Sequence, residues 1–343
     1  MTEAQDTVTV TGASGFIAKY IIAELLKRGF HVRGTLRSAD KAEAVRAAVK
    51  AAGADPVALS FADADLLRDD CWDAAVAGSR YVVHVASPFP MEQPENSRDL
   101  IWPAHDGTLR VLGAAQRAGV KRVVLTSSTV AVMYMIPPSA AYVYSEKDFS
   151  NENRVDLTHY IRSKTIAEKA AWEFVKKEKN PFELAVINPA FVQGPALDGD
   201  LSTSHEVMRL MAAGKYPAAP KIAFPVCDVR DVAIAHAEAM VRPEAAGQRF
   251  IVAEGETRLF EIGQRMLEVC PDLKGKVPRS ELPDFAVRGL AVFDKRLRTI
   301  LPELGMHRVC TGQKAKDVLG LKLRGAADAI RDAAQSLRSL KLI

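Results

Sequence analysis

Thr11-Gly12-Ala13-Ser14-Gly15-Phe16-Ile17-Ala18, residues 11–18, is the stretch on which the fold turns. It ends a short β-branched run that begins at Thr7. It also opens a segment where Ile17, Ile21, Ala23, Leu25 and Leu26 form an apolar helical stripe stopped by Gly29. A glycine pair at this spacing, between a strand and a helix, is where a dinucleotide fingerprint belongs. Gly12 permits the tight turn, Gly15 lets a pyrophosphate approach the backbone, and Ala18 is small enough for close helix–sheet packing. The helix N-terminus adds free N–H groups and a positive dipole end. Gly12, Ser14, Gly15, Phe16 and Ile17 are therefore candidate cofactor contacts. Taken alone, Gly-x-x-Gly is a weak signal, and an ordinary strand–helix turn is the competing reading.

The neighbouring sequence alternates in the same way. Strands are read at Phe30–Leu36, Pro56–Ala62, Tyr81–Ala86, Arg122–Thr126 and Leu184–Ile187. Helices are read at Ala39–Ala52, Asp69–Ala77, Ser97–Ala118 and Asp156–Lys177. Strict alternation predicts an α/β, Rossmann-type doubly wound parallel sheet with helices on both faces. Residues 1–187 are read as the dinucleotide-binding domain. Residues 188–343 are read as mainly a smaller substrate-binding lobe, interwoven with the first. They hold helices at Val229–Val241, Leu259–Val269 and Ala326–Leu340 and a short strand at Arg249–Ala253.

Composition excludes other classes. The chain has 343 residues, with 46 basic against 42 acidic side chains and a net charge of +4, which argues against a nucleic-acid binder. No apolar run approaches the roughly 18 residues of a membrane span, and the first ten residues lack the pattern of a signal peptide. Cys71, Cys227, Cys270 and Cys310 contain no CxxC pair, and no metal site is expected. The expectation is a cytoplasmic protein with reduced thiols.

Two further motifs carry chemistry. The second strand ends Val32-Arg33-Gly34-Thr35-Leu36-Arg37, with no Asp or Glu between residues 31 and 39 to hold a ribose hydroxyl. Arg37, with Lys41 beyond it, suits a 2′-phosphate, so NADP(H) is the expected cofactor; a solvated surface arginine is the alternative. In Tyr160-Ile161-Arg162-Ser163-Lys164, i, i+4 spacing puts the phenol and the amine on one helix face. A nearby ammonium lowers a phenol pKa and prepares it for acid–base work. Thr126-Ser127-Ser128 ends the fifth strand, at the carboxyl edge where ligands bind.

The chain resembles the extended short-chain dehydrogenases/reductases, in the dihydroflavonol-reductase and carbonyl-reductase branch. The resembling stretches are TGASGFIA (11–18), VRGTLR (32–37), ADL (64–66), HVASP (84–88), PAHDGT (103–108), LTSS (125–128), YIRSKTIAE (160–168) and NPAFVQGP (188–195), with a weaker likeness at 313–321. The resemblance implies an NADPH-dependent reduction of an aldehyde or ketone, acting on a small molecule as a monomer or homodimer. It implies that Ser128, rather than Ser127, binds the substrate carbonyl, that Tyr160 donates the proton, and that Lys164 tunes Tyr160 and holds the nicotinamide ribose. It assigns Asp65 and Leu66 to the adenine, Ala86, Ser87 and Thr126 to the ribose and nicotinamide, and Pro189 and Val192 to the carboxamide. Two positions depart from relatives. Ala104 stands where many extended members carry Asn, and Thr129-Val130 stands where sugar dehydratases carry an acid–base Asp-Glu pair.

Other readings stay open. A hydroxysteroid-type dehydrogenase and a sugar-nucleotide epimerase belong to the same family, and an NADP sensor without chemistry is the non-enzymatic alternative. Tyr134, Tyr142, Tyr144 and Phe191 are candidates to line the substrate pocket. Met208, Leu210 and Met211 are read either as an apolar lid or as ordinary packing.

Overall fold

The computed structural model describes residues 6–87, 96–135, 142–179, 181–292 and 295–343. Its centre is a sheet of seven strands: β1 (Thr7–Val10), β2 (His31–Leu36), β3 (Leu59–Asp63), β4 (Tyr81–His84), β5 (Arg122–Thr126), β6 (Glu183–Pro189) and β7 (Gln248–Val252). All neighbours pair in parallel, in the order β3-β2-β1-β4-β5-β6-β7. The chain runs outward from β1 to β3 and then returns to β4. The order therefore reverses between β1 and β4, and a crevice opens there at the carboxyl ends of the strands.

Strand side chains alternate between two apolar layers. Val83, Val124, Ala185 and Ile187 face helices α1 (Phe16–Lys27), α2 (Ala42–Ala51) and α7 (Val229–Val241). Val82, Val123, Leu125, Leu184 and Val186 face α3 (Trp72–Val76), α4 (Arg98–Arg117) and α5 (His159–Lys177). With both faces covered, the strands read as near-continuous apolar runs. Arg122 is buried at the start of β5, where its guanidinium binds Glu183 and the carbonyls of Ala239, Met240 and Arg242. A cation there matches the negative end of α7 and fixes that helix to the sheet.

Several element boundaries differ from the sequence reading. Pro56 opens a 3₁₀ turn capped by Asp55, so β3 begins only at Leu59. Helix α5 begins at His159, because the Thr158 side chain accepts the Ile161 N–H as its N-cap. The strand expected among elements of the second lobe, 249–253, lies in the large sheet as β7.

A separate apolar core joins α6 (Thr203–Ala212), α8 (Leu259–Val269) and the helix Ala326–Ser339 through Met208, Met211, Ile262, Met266, Ile330 and Leu337. Met208 and Met211 are fully buried there. The lid reading is therefore corrected to core packing. A short segment ties this part to α1. Tyr20 donates to the Pro195 carbonyl at 2.8 Å, Lys19 pairs with Asp198 at 2.5 Å, and the Phe16 ring meets His205 edge-on at 4.5 Å. Among the described residues no helix is long and apolar enough to cross a membrane.

Gly34 lets the loop after β1 lie against β2. A Cβ placed on it would approach the Ala13 Cβ at 2.7 Å and the Phe61 ring at 3.2 Å. Gly34→Ala is expected to destabilise the chain by about 1–3 kcal/mol through overpacking, read as a lower midpoint in urea unfolding.

Candidate active site

Ser128 lies two residues beyond β5 and caps the following 3₁₀ turn, its Oγ accepting from the Val130 N–H at 3.3 Å. Tyr160 lies in the first turn of α5, and its hydroxyl shares a hydrogen bond with Ser128. Lys164 follows one turn later on the same face and acts on His84, at the end of β4, through its charge. The three expected catalytic residues are thus gathered at the carboxyl edge between β4 and β5.

The electrostatics correct one expectation. Burial pushes the Tyr160 phenol up to about 12, and the Ser128 hydrogen bond opposes only part of that shift. Burial likewise pulls the Lys164 amine down to about 8, against the pull of Glu168. The lowering expected from a nearby ammonium is not what governs Tyr160: desolvation raises the phenol, and the Ser128 hydrogen bond is what opposes it. Tyr160 therefore holds its proton at neutral pH.

The loop after β1 fits a bound pyrophosphate. Gly12 adopts φ +68°, and a Cβ there would come within 3.1 Å of Ala86. Its N–H donates to Thr35 Oγ1 at 3.0 Å. Helix α1 has no side-chain cap and no acidic residue in its first turn, so the first N–H groups, around Phe16 and Ile17, have no side-chain acceptor, which suits an anionic ligand. By contrast Thr158, Ser202 and Asp228 cap α5, α6 and α7.

A buried relay braces this loop against β4. Thr11 Oγ1 accepts the N–H groups of Val85 at 3.0 Å and Ala86 at 2.9 Å, so its own hydrogen goes to His84 Nδ1 at 2.8 Å. The other ring nitrogen, Nε2, then carries the proton toward Thr108 Oγ1, which itself donates to the Ala104 carbonyl. Burial holds the His84 ring down at about 3, so it is neutral.

The remaining candidates are placed as follows. Arg37 is exposed just past β2, and Lys41 pairs with Asp200 at 3.6 Å. Asp65 and Leu66 follow β3; the Asp65 side chain accepts the Leu67 N–H, and Leu66 packs against Gly107. Ala86 and Ser87 are half-buried beyond β4. Thr126 turns its hydroxyl to His236 Nε2 at 2.7 Å, since His236 Nδ1–H is given to the Val232 carbonyl. Pro189 is buried at the end of β6, and Val192 is half-buried. Phe191 stacks on Phe224 at 5.0 Å, Tyr142 meets Tyr144 edge-on at 5.0 Å, and Tyr134 lies under the Arg308 guanidinium.

Sequence reasoning missed the residues behind the site. Glu168 is fully buried and accepts from Ser127 Oγ at 2.6 Å, Asn188 Nδ2 at 2.8 Å and Arg249 Nε at 2.5 Å. Its place four residues after Lys164 was the available signal; Arg249 offered none, because β7 is remote in sequence.

Comparison with known proteins gives the family and the fold. The family model described as "NAD dependent epimerase/dehydratase family" matches residues 8–253. The chain belongs to this family. Among its relatives, a ketoreductase of Aspergillus niger is 33% identical, with 96% of this chain and 97% of that protein covered. A cinnamoyl-CoA reductase of Medicago truncatula is 34% identical, with 98% and 97% covered. The crystal structure of yeast methylglyoxal/isovaleraldehyde reductase complexed with NADPH superposes with a TM-score of 0.81 at 30% identity, over 98% of this chain and 100% of that one.

His84 and His236, the latter held at about 4 by burial, give this family member an acid sensitivity. Unfolded histidine titrates near 6.5, so below that pH the unfolded chain binds protons that the native rings refuse. Their stabilisation is complete above about 6.5 and falls as pH drops toward about 4 for His236 and about 3 for His84, with each ring costing about 2 kcal/mol at pH 5. Thermal melts should show Tm falling between pH 7 and pH 5, and His236→Gln should flatten that slope.

Proposed function

We propose that this chain reduces aldehyde and ketone carbonyls to alcohols with NADPH, and runs the reverse reaction when alcohol is in excess. The observation that carries the reading is the Ser128–Tyr160 hydrogen bond, placed with Lys164 beside a dinucleotide loop. The reductases named above support it. When bound, the cofactor supplies a hydride for the carbonyl carbon. Ser128 holds the carbonyl oxygen, and Tyr160, protonated at neutral pH, gives that oxygen its hydrogen. The Lys164 ammonium opposes the negative charge left on the Tyr160 oxygen.

In this reading Gly12, Ser14, Gly15, Phe16 and Ile17 hold the pyrophosphate. Asp65 and Leu66 flank the adenine, Ala86, Ser87 and the backbone of Thr126 follow the ribose, and Pro189 and Val192 border the carboxamide. Arg37 takes the 2′-phosphate, with Lys41 shared between it and Asp200. An epimerase acting on a charged sugar nucleotide would need cations in the second lobe. There Arg209 is already bonded to Glu206, and Lys215 and Lys221 are exposed. The apolar Phe191–Phe224 pair suits an uncharged carbonyl substrate. The four cysteines are buried and unbridged, which supports a cytoplasmic enzyme.

Tyr160→Phe is expected to lower turnover by roughly 10²–10⁴-fold while NADPH still binds. Full NADPH oxidation by that variant, over a panel of aromatic aldehydes, α-dicarbonyls and β-keto esters, would remove Tyr160 from the reaction. Arg37→Ala should weaken NADPH binding by about one to two orders of magnitude and leave NADH binding unchanged, as measured by fluorescence titration with each cofactor.

A further inference from the structure

The charge that accompanies Lys164 is matched from inside the protein. Glu168 lies one helical turn beyond Lys164 on α5 and is shut off from water. Donors reach its two oxygens from four elements. Ser127 comes from the end of β5, Asn188 from β6, Arg249 from β7, and Trp172 Nε1 from α5 itself at 3.4 Å. Asn188 also donates to the Ser128 carbonyl at 3.1 Å, so the cluster reaches the backbone of the catalytic serine. Arg249 is clamped in turn, with its Nη1 on the carbonyls of Glu146 and Asp148 and its guanidinium 3.7 Å above the Phe149 ring.

A buried charge this well bonded is costly to assemble. Fixing a helix to a sheet needs no carboxylate, since apolar contacts achieve that elsewhere along α5. We propose that Glu168 is a positioning residue, the internal counter-charge that stabilises Lys164 as an ammonium beside Tyr160. The proposal rests on the reductase reading for its purpose, but the charge link itself is a property of the cofactor-free chain.

The groups facing Lys164 make the direction clear. On its own helix are Tyr160, which is neutral, and Glu168; from β4 comes His84, whose ring is neutral. Glu168 is therefore the anion acting on the amine, and it opposes the burial that drives Lys164 toward the free base.

The test is competitive acetylation of the cofactor-free chain with acetic anhydride across pH 6–10, with Lys164 followed by peptide mass spectrometry. Glu168→Gln alone would strand Arg249 as an unpaired buried cation, so Glu168→Gln is combined with Arg249→Met. The Lys164 midpoint is expected to fall by about one unit in this variant. The alkaline limb of carbonyl reduction should move down with it. Ser127→Ala keeps both charges but removes one donor from Glu168, so it leaves the carboxylate a stronger partner and should raise the midpoint. Shifts of opposite sign support the counter-charge. A purely structural cluster would leave the midpoint unchanged or move it the same way in both variants, and either result overturns the proposal. Should the double variant not fold, Ser127→Ala alone decides: a rise supports the proposal, and no change or a fall overturns it. A Tyr160→Phe variant that kept full turnover would defeat the reductase reading instead, without touching this midpoint.

Discussion

A carboxylate sealed from water must find its bonds inside the protein, and that requirement on Glu168 governs the geometry around it. Its donors come from the ends of β5 and β6, from β7 and from α5. Removing one partner of such a pair typically costs about 3–5 kcal/mol, because a bare charge is left behind. Helix α5 can therefore neither slide nor rotate relative to the strand ends without losing several bonds at once. Lys164 and Tyr160, one and two turns nearer its start, inherit that fixed register. The Ser128–Tyr160 hydrogen bond forms within that register, which the Thr158 cap also fixes at the start of α5.

The same low-dielectric interior sets the protonation states. Burial keeps Tyr160 protonated, draws Lys164 toward neutrality, and keeps His84 and His236 uncharged. A proton donor for reduction needs the first of these states. The two neutral histidines serve a different purpose. Each accepts a threonine hydroxyl on one nitrogen, Thr11 for His84 and Thr126 for His236, and so holds a strand end in place. The loop between β1 and α1 is thereby braced against β4 by the Thr11 hydrogen bonds, and in the proposed reading its N–H groups, already oriented, would meet a phosphate.

The second part of the chain acts through contacts on α1 as much as through its own core. Pro195, Asp198 and His205 press on Tyr20, Lys19 and Phe16, all within the first turns of the helix that would receive the pyrophosphate. A disturbance in residues 195–205 is therefore felt at the dinucleotide loop.

Much of this was legible in one dimension. Local signals suffice where the physics is local: glycines for a tight turn and a close approach, apolar runs for strands covered on both faces, and an i, i+4 pair for a shared helix face. On those grounds the Gly12/Gly15 turn, the shared helix face of Tyr160 and Lys164, and the succession of the first six strands along the chain are legible in the sequence, whereas the choice of Ser128 came from the family resemblance and the order of the strands within the sheet from the fold. Three things required the folded chain. Desolvation moves Tyr160 up, because burial depends on every neighbouring element. Met208 and Met211 are core, since their partners on α8 and the helix Ala326–Ser339 lie roughly 50 to 130 residues further on. Arg249 meets Glu168 across a separation of 81 residues, a pairing that only the parallel placement of β7 beside β6 brings about.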